Sequence, residues 1–155
     1  MTPSTEITSR PGTAKLDFKA PFQSFAVQES GAPYCTIILT AGIEDGGVRA
    51  TLALSMACTA LSMDMDTHVF LVGSGRDWVY QGQSRKVRID GFPDLQELFA
   101  EYLTLGGSVA VCAACEAAHC GSPYTAEDSP RWPGIQVQGM ATVMERVIAG
   151  RVVTF

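Results

Sequence analysis

At 155 residues, with 46% apolar and only 17% charged side chains, the chain has the size and apolar content for one domain with a sizeable core. Eleven basic against 16 acidic residues give a formal net charge of −5, which leaves no global pull toward nucleic acid or an anionic membrane surface. The opening stretch MTPSTEITSRPGTAKLDFKAPF lacks the apolar core of a signal peptide, and no later run approaches a membrane span, so a cytoplasmic protein is expected.

Residues 1–33, rich in Pro, Ser, Thr and Gly, read as a partly ordered N-terminal arm, and residues 34–155 as the folded domain. YCTIILT is a short, β-branched apolar run of the kind that forms a strand buried on both faces. The turn signal AGIEDGG follows it. VRATLALSMACTALSM (48–63) is a helix that is apolar nearly all round, with Leu52, Met56, Ala60 and Met63 on one face and Leu54, Cys58 and Leu61 on another. A sheet covers only one such face, so the other calls for a second subunit.

THVFLVG (67–73) predicts the second strand, and residues 74–92 a long polar connection with room for a short strand or hairpin. Residues 93–107 carry the stripe Leu95, Leu98, Phe99 and Tyr102 between Pro93 and Gly106, which marks a helix. SVAVC (108–112) is the third strand. The loop 121–134 leads to a fourth strand, 135–139. MATVMERVIAG (140–150) repeats a helical stripe at Met140, Val143, Met144, Val147 and Ile148, and RVVTF closes as the fifth strand. Strands alternating with helices predict a mostly parallel α/β sheet with helices on both faces, whose ligands gather at the carboxyl ends of the strands.

Cys112 falls at such an end, in the run VCAACEAAHC. Five cysteines (Cys35, Cys58, Cys112, Cys115 and Cys120) are an odd count, expected in a reducing compartment to be free thiols, ligands or catalysts. If Cys112 ends a strand and Ala113 opens a helix, orphan N–H groups favour a thiolate there. A thiolate attacks disulfides, accepts sulfane sulfur or binds a soft metal. The bland alternative, a small buried hydrophobe, is the expectation for Cys35 and Cys58. A zinc site would use Cys112, Cys115 and His119 or Cys120, but the second ligand pair of a strong zinc signature is missing and the only other histidine is His68. Neither a metal nor a cofactor is expected. A thioredoxin-type pair fits only in part, since the motif follows the third strand rather than an early one.

The stretch GFPDLQELFAEYLTLGGSVAVCAACEAAHCG, followed by IQVQGMATVMERVIAGRVVTF, resembles the DsrE/DsrF-like family, which includes YchN-type and TusD-type proteins. The resemblance covers roughly 34–155, including GIEDGGVRATLALSMA as the family's first loop and helix. It implies a three-layer α/β/α domain with a five-stranded parallel sheet in the order 4-3-2-1-5, assembled as homotrimers or homohexamers. It also implies sulfur relay, in which Cys112 carries persulfide sulfur between donor and acceptor proteins and Cys115 matches a second cysteine present in some members. A non-catalytic member would instead bind a small ligand or partner through the loops 42–47, 73–91 and 121–134. A Cys112/Cys115/His119 metal site is the third reading.

Other residues carry weaker signals. Glu44 and Asp45 suit a helix start, and Arg85, Lys86 and Arg88 suit a solvated basic face, or with Arg76 a persulfide-stabilising one. Trp78, Tyr80 and Trp132 anchor loops or line a pocket. The methionines at 56, 63, 65, 140 and 144 are expected as packing. Phosphate-loop, dinucleotide and serine-hydrolase motifs do not occur.

Overall fold

The computed structural model describes residues 33–121, 125 and 127–155; the expected N-terminal arm lies outside them, as does part of the 121–134 loop. The elements are β1 (Tyr34–Leu39), α1 (Val48–Ser62), β2 (Asp66–Leu71), α2 (Gln81–Ser84), α3 (Leu95–Thr104), β3 (Ser108–Cys112), α4 (Ala113–Ala117), β4 (Gln136–Gln138), α5 (Met140–Ala149) and β5 (Arg151–Thr154). They form one five-stranded sheet, ordered β4-β3-β2-β1-β5, with every pairing parallel. No helix among the described residues is long and apolar enough to cross a membrane.

Strand periodicity divides the core. Ile37 and Leu39 of β1, Val69 and Leu71 of β2, and Val109 and Val111 of β3 pack with Ala53, Leu54 and Ala57 of α1 and with Leu95, Leu98 and Phe99 of α3. The alternate residues Phe70, Ala110 and Cys112 face the other way, against Val143 of α5 and Cys115 of α4. Asp45 starts α1: its carboxylate accepts from the Gly47 N–H at 2.9 Å and the Arg49 N–H at 3.1 Å, and it pairs with the Arg49 side chain. Burial works to raise the Asp45 pKa, but these bonds outweigh it and the net shift is downward.

Two expectations change. Residues 73–84 form no strand or hairpin but a 3-10 helix, Gly73–Val79, followed by α2. This polar-looking segment is buried at Arg76, Asp77, Trp78, Val79, Tyr80, Gln83 and Ser84, because its polar groups find partners inside the fold. Met56, Met63, Met140 and Met144, expected as packing, are exposed together with Leu52 and Ile148. The burial of α1 is one-sided, on Ala50, Ala53, Leu54, Ala57 and Ala60, and that of α5 rests on Val143 and the partly buried Val147.

Candidate functional site

The carboxyl ends of β1, β2 and β3 converge on the 3-10 helix. Its Gly75 N–H donates to the carbonyls of Thr40 at 3.0 Å and Val72 at 3.1 Å, and a Cβ at Gly75 would lie 2.1 Å from the Leu39 carbonyl oxygen. Only glycine permits that approach. Trp78 locks the other end by donating its indole N–H to the Ala41 carbonyl at 2.7 Å. The helix is therefore bolted to the end of β1, with Arg76 aimed toward α4.

Arg76 is 0% exposed. Its Nε donates to Glu116 Oε2 at 3.0 Å, and one terminal nitrogen donates to Tyr80 Oη at 3.2 Å and to His119 Nδ1 at 3.2 Å. The other terminal nitrogen stands 3.7 Å from Asp77 Oδ1, and the guanidinium carbon sits 5.2 Å from the Tyr80 ring centre. Glu116 also accepts from Arg131 at 2.9 Å and from Tyr80 Oη at 3.4 Å. Burial first, and then the Glu116 charge, push the Tyr80 phenol up from its usual value. Two arginines, two carboxylates, a phenol and an imidazole thus form one network along the outer side of α4.

Beside it lie the cysteines. Cys112 ends β3 and precedes the first turn of α4 without capping it. Its side chain shares the second core cluster with Cys115, Phe70, Ala110 and Val143, and Cys120 packs at the edge of that cluster. Cys115 Sγ accepts a hydrogen bond from the Gly73 N–H at 3.2 Å. Cys112 is not the exposed edge thiol that its strand-end position predicts. It is 2% exposed, packed with Phe70, Ala110, Cys115 of α4 and Val143 of α5.

His119 does not join this group. It is exposed, has the left-handed φ of 50°, and turns Nδ1 to Arg76. Among the described residues no three His, Cys, Asp or Glu side chains gather as a metal ion requires. Gly121 then closes the run: at φ 86° a Cβ there would stand 2.9 Å from both Asp77 carboxylate oxygens, so the chain leaves α4 pressed against the buried network.

All five cysteines are free thiols. Cys35 and Cys58 sit on the opposite face of the sheet, where burial pushes the Cys35 thiol up and the Cys58 thiol up to about 11, as expected of packing cysteines. Trp78 and Tyr80 are buried anchors, and Trp132 stacks on Phe99 with ring centres 5.4 Å apart. The structure separates the basic residues read together from the sequence: Arg76 is enclosed, while Arg85, Lys86 and Arg88 are exposed. Within the 73–91 loop, residues 76–80 are buried.

Sequence reasoning missed Glu116 and Arg131. The available signal was a lone acid inside an alanine- and cysteine-rich run, the sole charge between Glu101 and Glu127. Its partner Arg131 lies across a loop that local periodicity does not bridge.

A model described as the DsrE/DsrF-like family matches residues 35–155. The chain belongs to that family. Seven chains of solved structures match it, among them the crystal structure of the ychN protein from E. coli, at 14% identity and a TM-score of 0.61, covering 79% of this chain and 99% of that one. At that identity the likeness concerns the fold, and the five-stranded order found here is the one the DsrE/DsrF-like resemblance implies. No curated protein matches the chain.

Proposed function

We propose that this DsrE/DsrF-like protein carries sulfane sulfur on Cys112 in the cytoplasm, as a homotrimer or homohexamer that takes sulfur from one partner protein and gives it to another. The observation that carries the reading is the position of Cys112 as the last residue of β3, at the carboxyl edge of a parallel sheet, in one cluster with Cys115.

In the forward step the Cys112 thiolate attacks the outer sulfur of a donor persulfide. A sulfur–sulfur bond forms, the donor's own sulfur–sulfur bond breaks, and the donor leaves as a thiolate with no net redox change. An acceptor thiolate then takes the outer sulfur by the same exchange and regenerates Cys112. Alternatively, Cys115 attacks the inner sulfur, forming a Cys112–Cys115 disulfide and releasing hydrosulfide. Because Cys112 is buried, reaction requires α4 and its connection to Gly121 to lift. α4 has five residues and exposes Ala113 and Ala114, so little apolar area resists that motion, which has instead to break the Glu116 contacts with Arg76 and Arg131.

Self-assembly is supported by the two exposed apolar faces, Leu52, Met56 and Met63 on α1 and Met140, Met144 and Ile148 on α5. The test of sulfur carriage is intact-protein and peptide mass spectrometry after incubation with a persulfidated donor. A gain of one sulfur, about 32 Da, is expected on the Cys112 peptide and is lost in Cys112→Ser. No gain, or the same gain in Cys112→Ser, ends the proposal.

A further inference from the structure

The α5 face of the sheet holds a second polar feature, at the other end of β2 and β3. His68 of β2 is 2% exposed, with Nδ1 2.8 Å from Ser108 Oγ. The single hydroxyl proton of Ser108 has two takers, His68 Nδ1 and the Thr67 carbonyl at 3.3 Å. The Nδ1 contact is the shorter of the two, and we assign the hydroxyl proton to it. With that assignment the imidazole proton sits on Nε2, an atom that is buried and has no hydrogen-bond partner. Burial, with Arg146 adding to it, holds the ring neutral near pH 7 by bringing its pKa down to about 4.

His68 lines a cavity of about 300 Å³ together with Gln138, Thr142, Glu145 and Arg146. Two more buried side-chain atoms of these residues lack partners, Arg146 Nε and Gln138 Oε1. The far end of the Arg146 guanidinium is held by Asp66 Oδ1 at 2.5 Å and by the Tyr34 ring at 5.3 Å, which leaves its Nε–H to another acceptor. An unsatisfied buried donor or acceptor carries the desolvation penalty of that group uncompensated. Three on one cavity mark a place where water or a bound molecule supplies the missing bonds.

Their pattern defines that molecule: two N–H donors, one on a cation, and one amide oxygen acceptor. We propose that this cavity binds a small monocarboxylate bearing a hydroxyl or amino group on the adjacent carbon. Its carboxylate accepts from His68 Nε2–H and Arg146 Nε–H, and its hydroxyl or amino group donates to Gln138 Oε1. Asp66 and Glu145 beside the single guanidinium disfavour a multiply charged anion, and the volume lies at the low end for small-molecule sites, about 300 Å³. Four residue steps along β3, about 13 Å at strand rise, separate Ser108 from Cys112. Ala110, Phe70 and Val143 occupy that interval, so the site stands or falls apart from sulfur chemistry.

The test is imidazole nitrogen NMR of the full chain, whose two histidines are told apart by His68→Asn, titrated separately with glycolate, acetate and thiosulfate. Glycolate is expected to shift the His68 Nε2 signal saturably, acetate more weakly, and thiosulfate least. Arg146→Gln should weaken glycolate by roughly tenfold or more. The near-isosteric Gln138→Met should erase the advantage of glycolate while leaving acetate unchanged, which tests the site even if Arg146→Gln fails to fold. No saturable shift up to about 50 mM glycolate, unchanged affinity in Arg146→Gln, or tightest binding by thiosulfate overturns the proposal. So does a His68 signal blind to glycolate that moves on dilution, the signature of a cavity already filled by a second copy of the chain.

Discussion

Protonation of His68 is expected to destabilise the fold over a defined pH window. Its pKa drops from 6.5 to about 4 on folding, chiefly through burial, with the Arg146 charge adding and Asp66 opposing. Between these values the unfolded chain binds more protons than the folded one. The stabilisation from keeping His68 neutral is therefore fully present above pH 6.5 and is lost as pH falls toward 4. At 1.36 kcal/mol per unit the whole effect is about 3 kcal/mol, of which about 2 kcal/mol disappears between roughly pH 7 and pH 5. His68→Asn retains a polar atom near the Nδ1 position, opposite Ser108, and removes the titration. Urea unfolding of both proteins across that range isolates the term, because other titrating groups contribute equally to each. The wild type should lose about 2 kcal/mol more than His68→Asn. A difference below about 0.5 kcal/mol would refute the claim that the ring is held neutral by burial.

Two other perturbations follow from the packing. Glu116→Gln takes the closest carboxylate from a fully buried guanidinium and should cost about 2–3 kcal/mol in urea unfolding. This is at or below the lower end of the range for broken buried pairs, because Glu116 is partly exposed; a cost under about 1 kcal/mol would mean that Asp77 alone suffices for Arg76. Leu52→Glu with Met56→Glu places charge on the outer face of α1, and light scattering should show smaller assemblies than the wild type at unchanged far-ultraviolet circular dichroism. An unchanged mass would remove that face from the assembly.

The parallel sheet was legible because each strand is a short apolar run between turn signals, and the alternation with helical stripes at 95–102 and 140–148 admits few topologies. The order of the strands came instead from the family resemblance. The outer apolar face of α1 was legible at Leu52, Met56 and Met63, which a single sheet does not cover, but not at Ala60, read on the same face and buried in the structure. The burial of Cys112 was not: it depends on contacts with Cys115 of α4 and Val143 of α5, and the alanines at 113, 114, 117 and 118 report helix propensity without direction. Nor was the enclosure of Arg76, since a charged residue in a polar stretch reads as exposed until a distant Glu116 is known to meet it. His68 passed as a failed metal ligand because its cavity is assembled from β2, β3, β4 and α5 together.

The sheet also partitions the thiols. Cys35 and Cys58 lie on one side of it, Cys112, Cys115 and Cys120 on the other. Bridging the two sets would require crossing a hydrogen-bonded wall, while a disulfide holds its Cα atoms within about 7 Å. The fold therefore acts as an insulator. An oxidant or sulfur donor that reaches the strand-end cysteines finds no route through the protein to the others, and mispaired disulfides across the sheet are excluded as long as the chain stays folded.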